Sequence, residues 1–142
     1  MIKLGISGCF GKMGLRIAAL ALKDSDFKIA MLLEKTGHPK IGSKFEDIFI
    51  TDDPGEIRNV DCLIEFTLPD VTISHMEMAL KYKKPSVIGT TRFTDEQKAR
   101  LKEISNSIPV LLSPNMSIGV NTLFKLVNLG AGVLRDYKVS II

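Results

Sequence analysis

The sequence has no tryptophan, two cysteines and two histidines among its 142 residues, and these scarcities exclude several classes of protein. Cys9 and Cys62 stand far apart and show neither a CxxC nor a cysteine–histidine spacing, so neither a disulfide framework nor a metal site is indicated. No apolar run approaches the roughly 20 residues of a membrane span, and no secretion signal precedes the first predicted strand. The lysines are dispersed and the net charge is +3, which does not favour nucleic acid as a partner. We therefore expect a cytoplasmic protein without a metal, a membrane or a nucleic acid as partner.

Strand-like and helix-like segments alternate along the chain. Short apolar, β-branched runs predict strands at 2–7, 27–33, 48–51, 60–67, 86–89 and 109–112. Amphipathic segments at 12–23, from Pro69 to the lysines at 81–84, and from Thr94 to about Ser105 predict helices, and Asp53-Pro54 opens one further helical turn. Strands that alternate with helices over short connections predict an α/β fold with a doubly wound parallel sheet.

The C-terminal stretch departs from this pattern. Residues 118–135 predict a helix with a single polar stripe, and a helix this apolar is usually covered on most of its sides. The segment YKVSII at 137–142 predicts one more strand. We therefore expect a first domain over 1–117 and, over 118–142, the first helix and strand of an incomplete second domain of the α+β class.

Glycine recurs at every third position in GISGCFGKMG, between the first predicted strand and the first predicted helix. Such a loop suits a dinucleotide pyrophosphate, because bare backbone admits the phosphates and the helix N-terminus supplies free N–H groups. On this interpretation Gly8 makes the turn, Gly11 permits close approach and Gly14 lets the helix pack on the sheet, while Lys12 adds positive charge. Gly5 has no explanation on this basis. The alternative is a tight connection that binds nothing.

Glu34 ends the second predicted strand and Lys35 follows it. An acidic residue at this place accepts hydrogen bonds from the ribose hydroxyls of a bound adenosine, whereas a cation attracts a 2′-phosphate. Because the two charges oppose each other, we expect NADH and NADPH to bind within about tenfold of each other. The alternative is a solvated strand end without a ligand.

Three later stretches, FTLP, GTTRF and SPNMSIGVN, also follow predicted strands. Ligands of open parallel sheets bind outside the carboxyl ends of the strands. We therefore expect four small polar side chains to face one crevice: Thr67, Thr90, Thr91 and Asn115. Each of them alone is more often a helix cap or a turn residue, and only their shared location favours the crevice.

These stretches together resemble the dihydrodipicolinate reductase family, which reduces a cyclic intermediate of the diaminopimelate route to lysine. The matching segments, in order, are GCFGKMG at 8–14, LEK at 33–35, EFTLPD at 65–70, VIGTT at 87–91 and NMSIGVN at 115–121. The resemblance extends over essentially the whole chain, and the combination is far more specific than a lone glycine motif.

The resemblance implies an oxidoreductase with a Rossmann-type fold that uses NADH or NADPH. It implies that the pyrophosphate is held by the glycine loop, at Gly8, Cys9, Phe10, Gly11, Lys12 and Met13. It implies that the adenosine ribose or its phosphate is held by Glu34 and Lys35, and that the cofactor also contacts Phe66 and Thr67. The residues that it places toward the nicotinamide are Gly89, Thr90, Thr91, Ser113, Pro114, Asn115 and Met116. Arg92 stands where many members of the family have glycine, so the shape of that loop does not carry over from the family.

The family's double-histidine segment with its lysine, and its DAPSGT-type loop, have no counterpart in this sequence. His38 and His75 are interpreted as a surface and a helix-packing histidine. The resemblance therefore implies that this chain holds no catalytic residue and gives no turnover by itself. It also implies that a small-molecule substrate binds only together with a further domain. For the longer protein it implies a homo-oligomer, which is a tetramer in the family. The alternative is a standalone NAD(P)-binding or redox-sensing module that catalyses nothing.

Overall fold

One seven-stranded sheet forms the centre of the computed structural model, which describes residues 1–138 and 140. The strands are β1 (Ile2–Ser7), β2 (Phe27–Leu33), β3 (Lys44–Phe45), β4 (Ile48–Thr51), β5 (Cys62–Glu65), β6 (Ser86–Ile88) and β7 (Val110–Leu112). Their order across the sheet is β3-β4-β2-β1-β5-β6-β7, and every neighbouring pair is parallel except β3 and β4. The chain thus builds outward from β1 in both directions, which confirms the predicted doubly wound α/β fold.

Helices cover both faces of this sheet. α1 (Lys12–Ala21) packs on one face, and α2 (Pro69–Tyr82) and α3 (Asp95–Ser105) pack on the other. A 3-10 helix at Pro54–Asn59 lies between β4 and β5, and α4 (Ile118–Val133) follows β7. Pro69 occupies the first turn of α2, where its missing N–H costs nothing. Thr94 and Gln97 form the predicted capping box of α3.

The boundaries differ from the sequence predictions at a few places. Strand β5 begins at Cys62 and ends at Glu65, so it is shorter than the predicted 60–67. The loop predicted after β2 contains β3, which pairs antiparallel with β4 through a turn where Glu46 has a φ of 53°. Of the strand predicted at 137–142, Val139, Ile141 and Ile142 lie outside the described residues.

Two hydrophobic clusters lie on opposite faces of the sheet. One cluster joins β5 and β6 to α2 and α3, with Leu63, Met76 and Ile104 at its centre. The other cluster packs α1 against β1 and β2. Gly5 faces the first of these clusters, because a Cβ there would lie 2.8 Å from Cε of Met31 and 3.0 Å from Cγ1 of Val60. Close contact between strand and core therefore explains the glycine that the ligand interpretation leaves unexplained.

Helix α4 has no buried residue. Phe124, Leu126 and Leu129 each expose more than half of their surface. The side chain of Ser117 caps its first turn by accepting a hydrogen bond from the N–H of Val120. None of the helices among residues 1–138 and 140 combines the length and the hydrophobicity that a membrane span requires.

The C-cap of α2 yields a prediction about stability. Lys83 is exposed and has a φ of 56°, in the left-handed region that favours glycine. We expect Lys83→Gly to raise the free energy of unfolding by about 1 kcal/mol, because glycine adopts this conformation without strain. Urea denaturation of the purified chain measures the change.

The matched control is Lys102→Gly, at an exposed position inside α3. It should lower the free energy of unfolding by about 0.5–1 kcal/mol, because glycine inside a helix is unfavourable. Equal destabilisation by both substitutions would show that the left-handed conformation of Lys83 costs the protein nothing.

Candidate functional site

A tight glycine turn connects β1 to α1. Gly8 has a φ of 70°, and its N–H donates to the carbonyl of Leu33 at 2.9 Å. The N–H of Gly11 donates to the carbonyl of Gly8 at 3.0 Å, and α1 begins at the next residue. No side chain caps this helix, so the N–H groups of its first turn remain available to a ligand.

The three glycines of this turn have different reasons to be glycine. A Cβ on Gly8 would lie 2.5 Å from the carbonyl oxygen of Phe66. A Cβ on Gly14 would overlap the carbonyl oxygen of Gly8. Gly11 is different: a Cβ there would meet one atom, the Gly8 carbonyl oxygen, at 3.2 Å. Packing thus accounts for Gly8 and Gly14 but only weakly for Gly11.

Glu34 ties the end of β2 to the glycine turn. Its Oε1 accepts a hydrogen bond from the N–H of Phe10 at 2.8 Å, and its Oε2 accepts one from the N–H of Lys35 at 3.1 Å. The ring of Phe10 stacks on His38 with centroids 5.2 Å apart, and Nζ of Lys40 lies 4.4 Å from the Phe10 centroid. The carboxylate is therefore held in place by backbone donors and keeps further lone pairs for a ligand.

A cavity of about 630 Å³ opens beside this turn at the carboxyl ends of β1, β2 and β5. Its volume lies within the range of small-molecule sites. Six of the residues predicted to bind a cofactor line it: Gly8, Gly11, Glu34, Lys35, Phe66 and Thr67. Ser7, Leu68, Val71 and His75 complete the wall on the side of α2.

The other predicted site residues lie outside this cavity. Cys9 and Thr90 are buried, and Lys12, Met13, Thr91, Pro114 and Met116 are exposed. Gly89 lies directly beneath the ring of Phe66, which would overlap a Cβ at this position. Of the four small polar residues expected in one crevice, Thr67 and Thr90 are joined by a hydrogen bond from the Thr67 N–H to Oγ1 of Thr90, whereas Thr91 is exposed.

Asn115 shapes the turn that precedes α4. Its Oδ1 accepts from the N–H of Ser117 at 2.8 Å, and its carbonyl accepts from Oγ of Ser113 at 2.8 Å. Arg92, in the loop after β6, has a φ of 68°. The backbone there adopts a conformation that glycine takes without strain, so the arginine does not prevent a glycine-like turn.

A buried hydrogen-bond network beneath the cavity was missed by the sequence reasoning. Glu65, at the end of β5, is fully buried, and its Oε2 lies 3.0 Å from Nδ1 of His75. The same Nδ1 lies 3.0 Å from Oγ of Ser7, and the hydroxyl of Thr67 donates to Oε1 of Glu65. His75 is therefore more than the helix-packing residue that the sequence suggests.

The network continues to the turn after β6. The Thr67 hydroxyl lies 3.1 Å from that of Thr72, which donates to Oγ1 of Thr90 at 2.8 Å. Oγ1 of Thr90 also accepts from the N–H of Thr67 at 3.1 Å. Among residues 1–138 and 140, four of the five buried polar residues belong to this network, so buried polar groups are concentrated at the candidate site. The one signal in the sequence is the glutamate inside the apolar run VDCLIEF.

The two cysteines are free, and Cys9 lies under the glycine turn. Burial, and next the negative charge of Glu34, raise the pKa of Cys9 to about 12. Burial also raises the pKa of Cys62. Among residues 1–138 and 140, no three histidine, cysteine or acidic side chains are grouped as a metal site would require.

The raised pKa of Cys9 predicts an unreactive thiol. The thiolate is the nucleophile, so in a Cys62→Ala background we expect Cys9 to resist Ellman's reagent at pH 8 until the chain unfolds. In the unfolded chain Cys9 loses its proton near the ordinary pKa of 9.0, whereas in the folded chain it keeps the proton until about pH 12. The free energy of unfolding therefore falls as the pH rises through this interval. Labelling of native Cys9 at the rate of free cysteine would contradict the burial.

Comparison with known proteins shows which family this chain is similar to. The sequence profile of the family described as "Dihydrodipicolinate reductase, N-terminus" matches residues 2–116. The 4-hydroxy-tetrahydrodipicolinate reductases of Syntrophotalea carbinolica and Syntrophus aciditrophicus are 36% and 37% identical to this chain, over 100% of its length. The same alignments cover 57% of each relative, so the chain spans somewhat more than half the length of the curated relatives it matches.

Solved structures share the fold. The dipicolinate-bound dihydrodipicolinate reductase from Paenisporosarcina sp. TG-14 matches 92% of this chain with a TM-score of 0.79 and 23% identity, over 54% of its own chain. Homoserine dehydrogenase of S. aureus matches 80% of this chain with a TM-score of 0.65 and 16% identity, over 32% of its own chain. The profile match over 2–116 confirms the resemblance seen in the motifs: the chain belongs to the dihydrodipicolinate reductase family and corresponds to its N-terminal part.

Proposed function

We propose that this chain binds a reduced nicotinamide dinucleotide, NADH or NADPH, along the carboxyl edge of its sheet. Gly11 is the observation that carries the proposal. It lines the cavity beside an uncapped helix N-terminus, and the packing of the fold gives little reason for a glycine at this position. A diphosphate that must lie against bare backbone supplies that reason.

The residues present fit such a ligand. The free N–H groups at the start of α1 and the nearby Lys12 would hold the pyrophosphate, and Glu34 would accept hydrogen bonds from the adenosine ribose. Gly89, Thr90 and Thr91, together with 113–116, would lie toward the nicotinamide. When bound, the reduced nicotinamide supplies a hydride to an acceptor.

The balance of charge beside the ribose supports the use of both cofactors. Glu34 disfavours a 2′-phosphate, and backbone N–H groups of Phe10 and Lys35 hold its carboxylate in place. Lys35 lies beside it in the cavity wall and attracts a 2′-phosphate. We therefore propose that NADH and NADPH bind within about tenfold of each other.

The whole reaction proposed for the protein is the reduction of 4-hydroxy-tetrahydrodipicolinate with NADH or NADPH. Two observations support it: the family shown by the profile and the names of relatives that are 36% and 37% identical. This chain would contribute residues 1–117 as the dinucleotide domain and 118–142 as the beginning of the domain that binds substrate. No catalytic group is assigned to the chain, and the longer protein would act as a homo-oligomer.

The role of Gly11 is tested by Gly11→Val. Gly11 has an extended backbone conformation with φ −66° and ψ 162°, which valine also adopts, so the thermal unfolding midpoint should change little. We expect the affinity for NADH and for NADPH to fall at least about a hundredfold, because the side chain would occupy the place of the phosphates. Titration of protein-induced nicotinamide fluorescence measures both dinucleotides.

Gly14→Ala is the contrasting variant. Its Cβ would overlap the carbonyl of Gly8, so we expect it to lower the unfolding midpoint first and to weaken binding only through that loss of structure. Unchanged affinity in Gly11→Val would mean that the turn is only a connection. A preference above about a hundredfold for either dinucleotide in the unmodified chain would refute the balanced selectivity.

The reductase proposal is tested with the intact mass of the protein from its native source and an assay of the 142-residue chain. We expect a mass about twice the 15.7 kDa of this chain and no oxidation of NADH or NADPH by the chain alone with the cyclic substrate. Hydride transfer needs the acceptor held about 3–3.5 Å from the donor and a proton source, and neither is assigned here. Turnover by the chain alone would refute this division of labour, and a native mass of 15.7 kDa would favour a binding or sensing module.

A further inference from the structure

We propose that His75 selects the base of the dinucleotide, with its Nε2 accepting a hydrogen bond from the exocyclic amino group of adenine, and that Glu65 holds His75 in the tautomer this requires. The inference rests on the proposed dinucleotide site and deepens it. It names a specificity-determining residue, His75, and a positioning residue, Glu65, that act at the base rather than at the phosphates.

The first step concerns the proton on Nδ1 of His75. The Glu65 carboxyl is fully buried, and among the described residues its side chain meets the Thr67 hydroxyl and Nδ1 of His75. With Glu65 ionised, Nδ1 of His75 carries the proton at its 3.0 Å contact with Oε2, because a carboxylate accepts hydrogen bonds and donates none. Oγ of Ser7, also 3.0 Å from Nδ1, then serves as a second neighbour of the same N–H.

The second step concerns Nε2, the other ring nitrogen. None of the hydrogen bonds found among the described residues uses it. Over the same part of the chain, no buried side-chain nitrogen or oxygen lacks a partner. Nε2 is therefore accessible, and His75 lines the cavity with 12% of its side chain exposed. With the proton on Nδ1, a neutral imidazole offers Nε2 as an acceptor.

The third step places the base near this acceptor. Glu34 and Lys35 mark the ribose end of the cavity, because the acidic residue that ends the second strand binds the adenosine ribose in this fold. Beyond them the apolar side chains of Leu68 and Val71 offer a wall for a flat ring. His75 lies on the same wall, one helical turn after Val71 in α2.

The polar edge of the base would then face acceptors rather than donors. Asp52, whose carboxylate is a second acceptor group, also lines the cavity. A base with an amino group at position 6 satisfies such acceptors, whereas an oxo group at that position opposes them with a lone pair. Adenine and hypoxanthine differ at this position, so their dinucleotides form a matched pair of probes.

The test compares NADH with reduced nicotinamide hypoxanthine dinucleotide in titrations of the unmodified chain at pH 8. We expect the hypoxanthine dinucleotide to bind about tenfold more weakly, the effect of one lost hydrogen bond and one opposed acceptor. In His75→Phe the ratio should fall to about two, because the ring shape is kept and the acceptor is removed. His38→Phe is the matched control, since His38 stacks on Phe10 outside the cavity, and it should keep the full ratio.

The role of Glu65 has its own readout. In Glu65→Gln the side-chain amide donates to Nδ1, the imidazole proton moves to Nε2, and the preference for adenine should vanish or reverse. Nitrogen-15 NMR of labelled histidine reports which ring nitrogen carries the proton. In the unmodified chain it should show the proton on Nδ1 of His75, a result that does not depend on whether the Glu65 variant folds.

The outcomes separate the two proposals. Failure of the unmodified chain to bind either dinucleotide would overturn the proposed function, and this inference with it. Equal binding of the two dinucleotides, or a ratio that survives in His75→Phe, would overturn the role of His75 alone. A protonated Nε2 in the unmodified chain, with or without a proton on Nδ1, would show that Glu65 does not hold His75 in the assigned tautomer.

Discussion

The contact between the glycine turn and the turn after β5 is the constraint on which the site depends. Gly8 lies against the carbonyl of Phe66, and Gly14 lies against Gly8, so neither has room for a side chain. This packing brings α1 close to the sheet and aims the N-terminus of α1 along the carboxyl edge of the strands. The close packing of α1 on the sheet therefore sets the position of the cavity, of the Glu34 carboxylate that binds the glycine turn, and of the cavity wall formed by α2.

The fold was largely predictable because its local signals agree with one another. The bounds of β2 and β4 match the prediction, and Thr94 with Gln97 marks the start of α3 as expected. The sequence analysis did not predict the hairpin of β3 and β4, because a strand of two residues is too short to show a periodic pattern. In addition, the turn has Glu46 rather than glycine at a positive φ. Residue propensities do not predict a left-handed backbone conformation that tertiary contacts impose on a residue other than glycine.

The candidate site was predictable in part, and the division has a physical cause. Gly11, Glu34 and Thr67 follow strands in sequence, so the topology of a parallel sheet brings them to one edge. Glu65 and His75 meet only because α2 folds back over β5, and no spacing in the sequence encodes that contact. Asn115 shows the opposite case, since its placement after a strand is equally typical of the turn that it makes.

The ring of Phe66 rests on Gly89, and this contact links the turns after β5 and β6 as one unit. Volume at one position is available only at the expense of the other, so residues 66 and 89 should vary together among relatives. An enlarged residue at 89 would require a smaller one at 66, and the energies of the two changes would not add. Substitutions in the turn after β5 are thus coupled to those in the turn after β6 through the side chain of Phe66.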